Sequence, residues 1–166
     1  KIKRITERGH TVGIHASLNT YGDSENFIKE VERLKNISGD VNEGRHHFLK
    51  FSVPESWAMW DEAGIKRDLT MCYENDGGFR CGIASEYPVF DILRRKQLNI
   101  YEQPTIVMER ALKRASKSVE EFQEKFIELK NTVKKYNGQF VFLWHQDNFE
   151  RYEWRKYEHI YPEILK

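Results

Sequence analysis

Residues 118–144 spell a helix, a stop and a strand in immediate succession, and this run constrains the fold most. Ser118 and Glu121 form a capping-box pattern, and Phe122, Phe126, Leu129, Val133 and Tyr136 then recur along one helical face. Gly138 ends that helix, and from Gln139 to Trp144 the chain is apolar after its first residue. A strand that is apolar without alternation has both faces covered, as a parallel strand between helices does. The same order is written upstream. Residues 10–15, after Gly9, read as a short strand. Ser24 then offers an N-cap to a helix carrying Phe27, Ile28, Val31 and Leu34, which ends near Gly39. A strand is expected over residues 46–51, then a helix opened by Pro54 that carries Trp57, Met59 and Trp60, stopped by Gly64. Residues 65–71 read as the next strand, 73–88 as a long functional loop, 90–106 as one or two strands, and 152–165 as a shorter terminal helix.

This alternation predicts the α/β class: a parallel sheet or barrel of βα units, in one domain over residues 1–166. Ligands bind such folds beyond the carboxyl ends of the strands, where the loops converge. Net charge is +1, which argues against nucleic acid or a membrane surface bound through bulk charge. No apolar run reaches membrane-spanning length, and no signal peptide is visible. Cys72 and Cys81 lie outside any CxxC spacing and read as reduced thiols. Lys1 to Arg8 reads as the tail of an amphipathic helix, with no Met before it. The expectation is therefore a C-terminal portion of a longer protein, with part of the site upstream. The sheet edges of such a portion leave room for a homo-oligomer.

The histidines mark the site. His15 ends the first expected strand, His145 follows Trp144 at the end of the last, and His46 and His47 stand beside Arg45 in the second. On parallel strands their imidazoles belong to one rim, where they can ligate a transition metal or exchange protons near neutral pH. By strand alternation His47 shares a face with Arg45. Trp144 points to the side opposite His145 and is expected in the core.

The local sequences around these residues resemble a known family. Gly13-Ile-His15-Ala-Ser17-Leu-Asn19-Thr20 resembles the second motif of the polysaccharide deacetylases, the NodB-type carbohydrate esterases. Arg45-His-His47-Phe-Leu49 is similar to their arginine-bearing third motif. Asp68-Leu-Thr70 with Gly78-Phe-Arg80-Cys-Gly82 resembles a fourth, as found in a divergent bacterial branch, and Leu143-Trp-His145 the closing Leu-x-His. The ordered set covers roughly residues 9–150. The resemblance implies part of an irregular (β/α) barrel of the polysaccharide deacetylase type with its N-terminal strands missing. It also implies metal-dependent hydrolysis of N- or O-acetyl groups on a carbohydrate substrate.

A divalent metal, zinc by family habit, would be held by His15, Asn19 and His47. His145 would serve as general acid, Arg45 and Asp68 as catalytic support, and Arg80 as a substrate contact. Asp68 or another carboxylate would hold His145 charged. Two departures stand out. The first motif, with its Asp base and Asp ligand, is absent, and Asn19 stands where the family has a second histidine. The chain alone is therefore expected to show little activity. A non-catalytic barrel that binds glycan is the alternative. Glu102 and Glu109 flank Pro104 and carry no assigned role.

Overall fold

The computed structural model describes residues 1–165, which fall into two compact units. The first holds Lys1–Thr70 and Glu86–Gln103. It contains α1 (Ile2–Thr6), β1 (Ile14–Ala16), α2 (Ser24–Ser38), β2 (Glu43–His46), α3 (Glu55–Glu62), β3 (Arg67–Asp68), β4 (Tyr87–Asp91) and β5 (Lys96–Glu102). The five strands form one sheet in the order β1-β2-β3-β5-β4. All neighbours run parallel except β4 and β5, which form an antiparallel hairpin at one edge. The α/β class with a mostly parallel sheet is therefore observed.

Local chemistry explains the helices. Asp23, not Ser24, is the N-cap of α2: its side chain accepts the Asn26 N–H at 2.9 Å, and Ser24 is already helical. Phe27 and Val31 turn the buried face of α2 inward, and Gly39 ends the helix with φ 84°. In α3 every residue from Ser56 to Trp60 is buried, so this helix lies inside the unit and does not ride on its surface. Pro54 sits at its N-cap.

The second unit holds Met71–Ser85 and the chain from Pro104 onward. Here β6 (Val107–Met108) pairs in parallel with β7 (Phe142–Leu143), and α4 (Glu109–Ala115), α5 (Val119–Lys135) and α6 (Ile160–Ile164) complete it. The Ser118 side chain caps α5 by accepting the Glu121 N–H at 3.1 Å, and Glu121 accepts the Lys117 N–H at 2.7 Å. Phe122 and Phe126 bury against Val107, Leu112, Trp154, Tyr157 and Ile160 in one aromatic-rich core.

Several strands are shorter than the sequence suggests. Only residues 14–16 of the first and 142–143 of the last are paired, and Phe142 and Leu143 are half-buried instead of covered on both faces. The expected strand over 46–51 stops at His46. Residues His47–Leu49 form a 3-10 turn in which Phe48 and Leu49 have φ of 55° and 52°. The terminal segment is a 3-10 stretch, Tyr152–Tyr157, followed by α6, not one helix. Among the described residues, no helix is long and apolar enough to cross a membrane.

Candidate catalytic residues

Two clusters carry the expected residues, one in each unit. In the first, burial alternates along β1, with His15 exposed between buried Ile14 and Ala16. His15 is paired in register with Arg45 of β2. Its Nδ1 lies 3.1 Å from the Arg45 carbonyl oxygen. A carbonyl only accepts, so Nδ1 carries the proton and the lone pair is on Nε2. The His47 ring meets His15 edge-on, with centroids 4.9 Å apart and planes at 80°. Strand alternation does not bring them together. The 3-10 turn that begins at His47 does.

Beyond β1, the Ser17 N–H and hydroxyl both donate to the Glu30 carboxylate, at 2.9 and 2.5 Å, tying the strand end to α2. Asn19 is exposed on the following 3-10 turn, Leu18–Thr20. His46 turns inward, against Trp60 at 4.7 Å between ring centroids and near Phe27 and Phe51. Burial, and then the charge of His15, lowers its pKa to about 4. It is therefore a neutral core side chain at ordinary pH.

Asp68 pairs in register with Gly44 on one side and Glu102 on the other, and is fully buried. Its Oδ1 accepts both the N–H and the hydroxyl of Thr70. That hydroxyl in turn accepts the His46 N–H at 3.0 Å, linking β2 to the end of β3. Burial pushes the Asp68 carboxyl up to about 7, against the opposing pull of the Thr70 hydrogen bonds and the Arg45 guanidinium. Glu102, equally buried, accepts the Trp57 indole N–H at 3.1 Å.

In the second unit the carboxylate on His145 is Glu109. Glu109 is fully buried, and its Oε1 lies 2.6 Å from His145 Nδ1. The same oxygen accepts the His145 N–H at 3.0 Å and the Asn148 amide at 2.6 Å. Arg110 bridges Asn148 Oδ1 at 3.1 Å and Asp147 at 2.6 Å, and Arg151 holds the far oxygen of Asp147 at 2.9 Å. The register explains the pairing. Val107 is opposite Phe142 and Met108 opposite Leu143, so one more step would set Glu109 opposite Trp144, with His145 the next residue along. Glu109, which carries no role in the sequence alone, stands directly after β6, and that position is the signal for its partnership with His145. Arg80 is exposed and donates to the Cys72 carbonyl at 2.8 Å, bracing its loop. Trp144 packs against Trp154, Tyr161 and Phe149.

A carboxylate accepting from Nδ1 fixes the His145 ring and leaves Nε2 as the nitrogen that gives or takes a proton. For a metal, the first unit offers His15 and His47, imidazole donors suited to zinc or a similar ion. Among the described residues no three His, Cys, Asp or Glu side chains converge to hold an ion. No protein-family model, curated protein or solved structure matches the chain.

Proposed function

We propose that this chain carries catalytic residues of a polysaccharide-deacetylase-like protein that hydrolyses N- or O-acetyl groups on a carbohydrate. The observation that carries this is the Glu109–His145 pair, an imidazole held through Nδ1 by a buried carboxylate after a parallel strand pair. Such a ring suits the general acid that protonates a leaving amine or alcohol, a role worth roughly 10²–10⁴ in rate. The parallel sheet bearing His15, Arg45 and Asp68 suits an arc of an irregular (β/α) barrel, and the ordered motifs support the same assignment.

A divalent ion would be held by His15 and His47 with the Asn19 amide, and when bound it supplies a more acidic water and a polarised acyl oxygen. The chain's own residues do the rest. The Arg45 carbonyl fixes the His15 tautomer, so that Nε2 is the donor nitrogen. On the neighbouring strand the Arg45 guanidinium favours the ionised form of Asp68, against the burial that raises its pKa. In the second unit, His145 would deliver its proton from Nε2 while Glu109 holds Nδ1.

The test is acetate release from acetylated chito-oligosaccharides by the longest form of the protein its gene encodes, with and without a chelator, alongside metal analysis. Chelator-sensitive release is the expected result. Stoichiometric metal without acetate would point to another acyl substrate. Neither metal nor acetate would leave a non-catalytic glycan-binding barrel as the better account.

A further inference from the structure

The hairpin of β4 and β5 presents its tip in a fixed form. Asp91 and Lys96 are the last paired residues, and residues 92–95 make the turn between them. Asp91 is 2 % exposed, and its Oδ1 accepts the N–H groups of Leu93 at 2.9 Å and Arg94 at 2.8 Å. A buried carboxylate thus holds the turn in a shape that turns its aliphatic side chains outward. Ile92 is 69 % exposed and Leu93 68 %. Exposed Phe90 extends the apolar strip along the outer face of β4, and exposed Tyr101 stands opposite Pro88 on the same hairpin. Neighbouring apolar side chains held in water by a structured turn are available to enter an apolar surface.

The charges beside the strip indicate what. Arg94 is occupied, 3.4 Å from Glu62 and 3.6 Å from Asp91. Arg95 and Lys96 are exposed, and neither side chain has an ion pair or hydrogen bond among the described residues. The tip therefore combines two protruding aliphatic side chains with two uncommitted cations. A specific protein interface buries roughly 800 Å² on each partner, far more than a four-residue tip supplies. A bilayer takes up apolar side chains one at a time by partition, and its anionic headgroups attract adjacent Lys and Arg.

We infer that the β4–β5 hairpin tip docks on an anionic lipid surface, Ile92 and Leu93 entering the acyl boundary while Arg95 and Lys96 meet lipid phosphates. The docking is independent of the chemistry proposed above, and its failure would leave that chemistry untouched.

The experiment is cosedimentation of the protein with vesicles of phosphatidylcholine mixed with phosphatidylglycerol, against vesicles of phosphatidylcholine alone. Binding is expected to the mixed vesicles, to weaken with added salt, and to be much weaker on the neutral ones. Joint replacement Arg95→Gln and Lys96→Gln removes two surface cations and is expected to weaken it roughly 30-fold. Joint replacement Ile92→Ser and Leu93→Ser is expected to weaken it roughly tenfold or more. All four positions are exposed, so both variants keep the parent's circular dichroism and unfolding midpoint, which is measured alongside. Absence of vesicle binding, equal binding to neutral vesicles, or binding unmoved by either variant would overturn the assignment. So would concentration-dependent self-association abolished by the same replacements, which would give the face to a second copy of the chain.

Discussion

His46 is 2 % exposed among Phe27, Phe51 and Trp60, where burial lowers its pKa from 6.5 to about 4. The unfolded chain takes up a proton on this ring near pH 6.5, and the folded chain does so only near pH 4. Its stabilising contribution is thus full above 6.5 and is lost as pH falls to about 4, by about 3 kcal/mol. Asp68 has the opposite sign. With its carboxyl raised from 3.8 to about 7, its contribution is full below 3.8 and is lost as pH rises through 7. The two slopes oppose each other between pH 4 and 6.5. His46→Phe keeps the aromatic stack and removes one slope, so denaturant unfolding of that variant should show stability falling from pH 4 to 7 while the parent stays flatter. Parallel profiles would contradict this. Glu109→Ala leaves the His145 N–H, its Nδ1–H and the Asn148 amide without their acceptor. At about 1 kcal/mol or more per unmet donor, the loss should reach about 3 kcal/mol. Glu109→Gln keeps an acceptor and should lose less. Nitrogen NMR of the His145 ring should show the Nδ1-protonated tautomer in the parent and a mixture in Glu109→Ala.

At the scale of elements, the β1–β2 pair depends on the absence of a side chain at Gly44. A Cβ there would collide with the Ile14 carbonyl oxygen and Cγ2. Backbone in a strand ladder cannot step aside as a side-chain tip can, so Gly44→Ala should cost about 3 kcal/mol and separate His15 from His47. Ser118→Ala removes only the α5 cap and should cost about 1 kcal/mol. Equilibrium unfolding ranks the two, and a larger loss for Ser118→Ala would count against this view of the sheet. The helices α2, α3 and α5 were legible because their apolar spacing is local and runs over two to five turns. The strands were legible in order but not in extent. Two or three paired residues carry no periodicity, and the chain leaves β2 at His47 through left-handed residues that no alternation pattern marks. The antiparallel β4–β5 hairpin and α4 also escaped, since the four-residue turn at 92–95 holds no glycine and α4 is a single two-turn helix.

Over the whole molecule, the alternating pattern conveyed the α/β class and the mostly parallel sheet, while pairing across long sequence distances decided the chemistry. His15 and His47 are 32 positions apart and meet through a turn, and Glu109 reaches His145 across 36 positions through the β6–β7 register. Neither partner choice is written in local sequence. Each unit has its own buried core, and each presents imidazoles whose working nitrogen is set by what Nδ1 bonds: a backbone carbonyl for His15, a buried carboxylate for His145. Proton delivery by His145 is therefore the step on which the proposed acetyl hydrolysis turns. The most direct measurement is the kcat for acetate release by the metal-loaded parent and by His145→Gln at matched metal content. A fall of roughly 100-fold or more is predicted, with KM little changed. A variant that releases acetate at the parent's rate would contradict the assignment of His145 as the acid.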